Sequence, residues 1–162
     1  MNWTVTPLDL GQVELNPRRL VPNPDDVPAV RVPVQSWLLR SARDAVVIDT
    51  GFRNGDILKR LGDRARGIET PEQRLQSQLA LHGVTPADVG CVLHTHLHID
   101  HAGQTDIFPF ATAVVVNRRE LEYAVSGLSG PSYPPEDIKH MIDRLHTRGA
   151  LRLLDLELTG GD

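Results

Sequence analysis

Four of the seven histidines in this chain lie within eight residues, His94–His101, in the stretch LHTHLHIDHAG. An apolar core disfavours so many polar imidazoles, and an ordinary surface loop gives no reason to concentrate them. Neutral imidazole and carboxylate groups are, however, the ligands that hold divalent metal ions in fixed geometry. The cluster therefore predicts a metal site, and the fold must bring these side chains together.

The spacing within HLHIDH divides the predicted ligands into two pairs. Residues two apart at the end of a strand point the same way, so His96 and His98 are predicted to bind one ion. Asp100 and His101 follow where the chain turns, which suits a second ion about 3.5–4 Å from the first. Asp100 is also predicted to be the catalytic residue that carries a proton. Mixed nitrogen and oxygen ligands fit zinc, and also iron or manganese.

Two further residues are predicted to support the ligands without binding metal. His94 precedes the spaced ligands and is predicted to hydrogen-bond near them. Asp49 ends the apolar run AVVID, where a lone carboxylate needs partners, so it is predicted to contact a ligand. No substrate-binding residue is assigned. The aromatic residues that flank the site in sequence suit either an acyl pocket or the core: Phe52, Phe108 and Phe110.

The remaining sequence alternates strand and helix signals, which is typical of an α/β fold. A hairpin is predicted around RSARD, and a helix is predicted from Thr70 to Gly83, with a capping box formed by Thr70 and Gln73. Leu75 and Leu79 would form its buried face. A later helix, PEDIKHMIDRLHTRG, spaces four apolar residues for one buried face: Ile138, Met141, Ile142 and Leu145.

Composition bounds the class of protein. The chain of 162 residues is 40% hydrophobic and 23% charged, which predicts one globular domain over residues 1–162. A net charge of −4 provides no basic field for nucleic acid. No apolar stretch approaches the ~20 residues of a membrane helix, and no signal peptide is recognisable. With one cysteine, Cys91, and no internal disulfide, a cytoplasmic location is predicted.

The stretch HLHIDHAG resembles the signature of the metallo-β-lactamase superfamily of hydrolases. The run AVVIDTG, and the order of helix, turn, strand and ligand loop that follows it, resemble the same family. Within the family the chain is most similar to the N-acyl homoserine lactonase group, through HAGQTDIFPFATAVVVNRRELEYA. Gln104 stands where the family often has a second glycine. Glyoxalase II-like thioesterases and phosphodiesterases of the same superfamily carry near-identical loops.

The resemblance implies an αββα sandwich and a hydrolase that opens a lactone or related ester with a hydroxide bridging two metal ions. It also implies a third histidine, a bridging aspartate and a last histidine, and no matching segment precedes Asp162. His140 and His146 are expected on a solvated helix face instead. We therefore expect only the N-terminal half of the domain, with an incomplete sandwich and an under-coordinated site.

Three expectations follow from an incomplete site. The 162-residue chain alone would be inactive. A complementing C-terminal segment or a second copy of the chain would complete the site and restore hydrolysis of a small ester or lactone. The alternative from another class of protein is an inactive fragment or pseudoenzyme that acts by association.

Overall fold

The computed structural model describes residues 2–17, 28–62 and 65–155. The strands are β1 Thr4–Leu15, β2 Val30–Arg40, β3 Ala45–Ile48, β4 Arg66–Ile68, β5 Cys91–Leu93, β6 Ala113–Asn117 and β7 Leu151–Leu154. The α-helices are α1 Leu75–Leu81, α2 Arg118–Val125 and α3 Pro135–Leu145. Among these described segments, no helix is long and apolar enough to cross a membrane.

All seven strands form one mixed sheet in the order β4-β1-β2-β3-β5-β6-β7. β1 pairs antiparallel with β2 and β4, and β2 pairs antiparallel with β3, which confirms the hairpin predicted around RSARD. β3, β5, β6 and β7 are parallel. Because parallel strands end at the same edge of a sheet, the segments that follow β3 and β5 meet there.

The two faces of the sheet differ. Leu38, Val47 and Val92 are each 0% exposed and share one core with the buried residues of the helices. The opposite face carries a cross-strand apolar row, whose members are paired in register: Pro7, Trp37, Ile48, Leu93 and Val115. Trp37 in this row is 40% exposed. The described residues thus form a sheet with helices packed on one apolar face, the half of a sandwich that the sequence predicts.

The helix predicted from Thr70 is interrupted. Thr70 N donates to Gln73 Oε1 at 3.0 Å, as the capping box requires, but the turn that it begins is a 3₁₀ helix, Pro71–Gln73. The α-helix starts only at Leu75, because Arg74 is extended, with a ψ of 140°. Leu75 N, which has no intrahelical acceptor, donates to the Gln104 side chain at 3.1 Å. The predicted buried face is confirmed, since both leucines are 0% exposed: Leu75 and Leu79.

The buried face of α3 is only partly as predicted. Ile138 and Met141 are 8% and 0% exposed, and Ile142 is half-buried. The prediction for Leu145 is wrong, because this residue is 48% exposed. α3 ends at Leu145, and Arg144 takes the buried position of the last turn.

Arg144 is 0% exposed, and its side chain binds the backbone carbonyls of the loop before β6. Its guanidinium donates to the carbonyl oxygens of Phe108 at 2.7 Å and Thr112 at 2.9 Å. Arg144 Nε donates to His140 Nε2 at 2.9 Å, and His140 is half-buried, so the prediction of a solvated face for His140 is wrong. His146 is exposed, as predicted.

Replacing Arg144 with methionine is expected to lower the free energy of unfolding by about 2 kcal/mol. Methionine fills similar space but leaves the buried carbonyls of Phe108 and Thr112 without donors. Urea denaturation measures the change. Arg148→Met is the matched control, because Arg148 is exposed four residues later, and we expect it to stay within about 0.5 kcal/mol of the parent. Equal stability of the two variants would show that the buried guanidinium contributes nothing.

Candidate metal centre

Residues 94–102, called the ligand loop below, begin directly after β5 at the carboxyl edge of the sheet. β5 ends at Leu93, so the prediction that His96 and His98 lie on a strand end is wrong. The loop nevertheless keeps the alternation of a strand. Leu97 and Ile99 are 0% and 1% exposed in the core, whereas His96 and His98 are half-buried. The apolar residues of HLHIDH therefore anchor the loop and turn the intervening histidines outward.

The same two anchors are also held by their backbone amides. Leu97 N donates to Glu120 Oε1 at 2.7 Å. Ile99 N donates to the carbonyl oxygen of Ser132 at 2.8 Å. Leu97 and Ile99 are thus each fixed by both side chain and amide. The backbone of the neighbouring histidines is held in place as a result.

Three imidazoles converge on the outer side of the ligand loop. The ring centroids of His96 and His98 are 4.6 Å apart, and those of His96 and His101 are 3.9 Å apart. Asp100 Oδ2 lies 3.8 Å from His101 Nε2. Burial, together with the neighbouring His101 and His98, lowers the pKa of His96. This shift favours the neutral imidazole, which is the form that binds metal.

Asp49 follows β3 and collects donors from the ligand loop. Its carboxylate accepts from Thr95 N at 2.9 Å, from Thr95 Oγ1 at 2.6 Å and from His101 Nδ1 at 2.8 Å. Asp49 is 5% exposed and has a φ of 58°, a left-handed conformation that aspartate tolerates better than most residues. Burial alone would raise the pKa of Asp49, but the hydrogen bond from His101, the nearby His94 imidazole and the hydrogen bonds from Thr95 hold this pKa well below its usual range.

The ionised Asp49 also sets the tautomer of His101. A carboxylate only accepts hydrogen bonds, so His101 Nδ1 carries the proton and Nε2 is left for another partner. Burial lowers the pKa of His101, but the bond to Asp49 and the charge of Asp100 together raise it above the usual value. The surroundings of this imidazole therefore favour a positive charge on it or beside it, as a proton or a metal ion supplies.

His94 approaches Oδ1 of Asp49, whereas His101 bonds to Oδ2. His94 is 3% exposed, and its Nε2 is 3.0 Å from Thr105 Oγ1. His94 Nδ1 lies 3.6 Å from Asp49 Oδ1 and has no hydrogen-bond partner among the described residues. The geometry therefore places His94 between Thr105 and Asp49.

The donor set fits a divalent ion, but only in part. Imidazoles of three histidines and one carboxylate are gathered at one edge of the sheet, which is ligand chemistry suited to zinc. Within residues 2–17, 28–62 and 65–155, no group of three or more His, Cys, Asp or Glu side chains has the arrangement that holds an ion. His140 and His146 are not among the gathered residues, since His140 bonds to Arg144 and His146 is exposed.

Sequence reasoning missed three residues that shape this site: Thr95, Glu120 and Tyr133. The Tyr133 ring lies 4.8 Å from that of His98, and its hydroxyl donates to Glu120 Oε1 at 2.9 Å. Burial, followed by the bond to Glu120, raises the pKa of Tyr133 far above its usual range, so the hydroxyl stays protonated. One signal was available for Glu120. α2 follows the strand next to β5, so an acidic residue in its first turn can reach the segment after β5.

Gln104 and the flanking aromatic residues are mostly structural. Gln104 is 3% exposed and caps α1, which accounts for the residue that replaces a glycine of the family pattern. Phe52 and Phe108 are 1% and 2% exposed in the core. Phe110 is 38% exposed, and its ring contacts His140 at 5.6 Å.

Comparisons with known proteins agree with this geometry. The N-acyl homoserine lactonase AttM of Azorhizobium caulinodans is 50% identical over 48 residues, which are 30% of this chain and 18% of that protein. The structure matches that of an N-acyl homoserine lactone hydrolase, with a TM-score of 0.76 at 21% identity over 97% of this chain and 62% of that one. That hydrolase has its product, N-hexanoyl-L-homoserine, bound at the catalytic metal centre.

A second solved structure, the dizinc quorum-quenching lactonase AidC, matches with a TM-score of 0.64 at 14% identity. The match covers 98% of this chain and 60% of that one. This chain thus spans less than two thirds of each of these relatives. The family model of the metallo-β-lactamase superfamily matches residues 29–157. With that match over most of its length, and the same mixed sheet, the chain belongs to the metallo-β-lactamase superfamily.

Proposed function

We propose that the protein is a metal-dependent hydrolase that opens an N-acyl homoserine lactone or a related ester. The observation that carries the proposal is the convergence of His96, His98 and His101, with Asp100 beside them and Asp49 fixing one ring. The relatives support the choice of substrate, because AttM is a lactonase and a solved relative holds a homoserine product at its metal centre.

The gathered residues are assigned to two divalent ions. His96 and His98 would hold one ion, and Asp100 and His101 would hold the other, through the His101 Nε2 that Asp49 leaves free. A dizinc lactonase among the structural relatives supports two ions and favours zinc, although the same nitrogen and oxygen ligands also suit iron or manganese. Bound ions of this kind lower the pKa of a water molecule and polarise a carbonyl oxygen.

Asp100 is the proposed catalytic residue of this chain. Its carboxylate is 34% exposed and lies beside His101, where solvent reaches it. As the attacking water adds to the lactone carbonyl, Asp100 accepts a proton from that water. It then delivers the proton to the ring oxygen that leaves, so the ester becomes a carboxylic acid and an alcohol.

The assignment implies that further ligands complete the site. Two protein ligands per ion are fewer than the three of a catalytic zinc site. The missing ligands would come from residues outside 1–162 or from a second copy of the chain. The apolar row that includes Trp37 lies on the sheet face that such a segment would cover. We therefore propose that the 162-residue chain alone is a poor catalyst.

The test compares the 162-residue chain with the protein expressed from its complete reading frame, both purified without chelator. We expect about two metal ions per molecule of the complete protein, and metal-dependent opening of N-hexanoyl homoserine lactone. We expect less than one ion in the short chain as a monomer, and no measurable hydrolysis by that monomer. Elemental analysis and a pH-stat assay provide the two readouts.

Each alternative makes a different prediction in the same assays. Faster hydrolysis of a glutathione thioester or a phosphodiester than of the lactone would assign the protein to another branch of the superfamily. A complete protein without metal would contradict the enzyme proposal and favour a role by association. Lactone hydrolysis by a monomer of the 162-residue chain would overturn the proposed shortage of ligands.

A further inference from the structure

Glu120 contacts the ligand loop at its centre. Its Oε1 atom accepts from Leu97 N at 2.7 Å, and Leu97 lies between the proposed ligands His96 and His98. The same oxygen accepts from the Tyr133 hydroxyl at 2.9 Å. The Tyr133 ring in turn meets the His98 ring edge-on at 4.8 Å. One carboxylate oxygen therefore touches the backbone before His98 and the residue against which His98 packs.

Glu120 forms these contacts outside its own helix, although it lies near the start of α2. It lies in the first turn of the helix, where a glutamate often bonds to the amides of its own helix end. That end is served instead by Asn117, whose side chain accepts from Arg119 N at 2.9 Å. Glu120 is thus available to reach away from its helix, and both of its bonds end outside α2.

The consequence for the histidines follows from the alternation of the loop. The Leu97 side chain is 0% exposed in the core, and its amide is held by Glu120, so the peptide between His96 and Leu97 cannot rotate freely. His98 is held twice, by that peptide on one side and by Tyr133 on the other. Partners that orient metal ligands in this way commonly change metal affinity without touching the metal.

We propose that Glu120 is a positioning residue for the metal site, which orients His96 and His98 by accepting hydrogen bonds from Leu97 N and the Tyr133 hydroxyl. The inference rests on the proposed function, since it assumes that these two histidines bind an ion. Because both bonds end on Oε1, the role requires one acceptor oxygen, and the negative charge is not required.

The experiment measures zinc affinity by competition with a chromophoric chelator, using the protein from the complete reading frame. Glu120→Ala is expected to weaken zinc binding by about 10–100-fold. Glu120→Gln keeps an acceptor oxygen and is expected to bind within about 3-fold of the parent, since replacing an acceptor by an equivalent one changes little. Glu122→Ala, an exposed glutamate on the same helix, is the matched control and should bind like the parent.

Amide hydrogen exchange on the metal-free protein gives a second readout. Glu120→Ala should accelerate exchange of the Leu97 amide, whereas Glu120→Gln and Glu122→Ala should leave it protected. If Glu120→Ala does not fold, Tyr133→Phe is the alternative variant, because it removes only the hydroxyl. Its zinc affinity should be weaker than that of the parent, since His98 then loses part of its support.

The outcomes separate the inference from the proposed function. A parent protein that binds no zinc contradicts the proposed function itself. A parent that binds zinc, with Glu120→Ala binding equally well, overturns the positioning role alone. Glu120→Gln as weak as Glu120→Ala would also overturn it, because charge would then matter more than the hydrogen bonds.

Discussion

In the protein expressed from the complete reading frame, replacing His101 with alanine is expected to remove one of two metal ions per molecule and to lower kcat/KM for the lactone by about 1,000-fold or more. His101 has a carboxylate partner at each ring nitrogen. Its Nδ1 bonds to Asp49 at 2.8 Å, and its Nε2 faces Asp100 at 3.8 Å. The substitution leaves Asp100 as the one proposed ligand of its ion in this chain.

The fold should survive this change. Asp49 keeps its two bonds to Thr95, at 2.9 and 2.6 Å, so its buried carboxylate remains satisfied. Circular dichroism should therefore match that of the parent, while elemental analysis and the lactone assay report the loss. His82→Ala is the control, because His82 caps the end of α1, and its contact with Arg40 uses its backbone carbonyl. Parent-like activity in His101→Ala would rule out the two-ion assignment.

The elements that local patterns encode were predictable from the sequence. The hairpin of β2 and β3 is encoded by two apolar runs around one polar turn, and both the runs and the turn lie within 20 residues of each other. The start of α1 at Leu75 was not predictable in the same way, because the first amide of the helix is capped by Gln104, which is 29 residues from Leu75. The exposure of Leu145 depends on where α3 stops, and apolar spacing carries no information on that point.

The candidate site likewise contains a part that the sequence predicts and a part that it does not. The four predicted ligands are neighbours in sequence, so their spacing predicts that they lie close together. The environment of those ligands comes from distant segments, as the contacts of the ligand loop with Asp49, Glu120 and Ser132 illustrate. A pattern of spacing cannot encode such contacts, because they depend on the order of strands in the sheet.

Glycine is required at position 103 because there is no room for a side chain, and not because of its backbone conformation. Its φ is not in the left-handed region, so another residue could adopt its backbone angles. A Cβ atom on Gly103 would, however, lie 2.2 Å from Arg53 N and 2.6 Å from the carbonyl carbon of Phe52. Both are backbone atoms, which cannot move aside as the end of a flexible side chain can.

This close approach connects the two segments that build the site. Gly103 N donates to the carbonyl oxygen of Gly51 at 2.8 Å, and Thr50 N donates to that of His101 at 2.6 Å. The segment that carries Asp49 and the end of the ligand loop therefore touch through their backbones. Separating them would also separate Asp49 from His101, whose bond sets the tautomer of the proposed ligand.

Gly103→Ala is accordingly expected to lower the free energy of unfolding by about 3 kcal/mol or more, because the added methyl forces two backbones apart. The fraction that still folds should bind zinc more weakly, since His101 loses its place beside Asp49. Gly90→Ala is the matched control: the nearest atom to its new Cβ is the Ala45 carbonyl oxygen at 3.9 Å, an ordinary contact. Its stability should stay within about 0.5 kcal/mol of the parent. Urea denaturation and zinc competition measure both effects, and a Gly103→Ala variant as stable as Gly90→Ala would show that the two segments do not pack this closely.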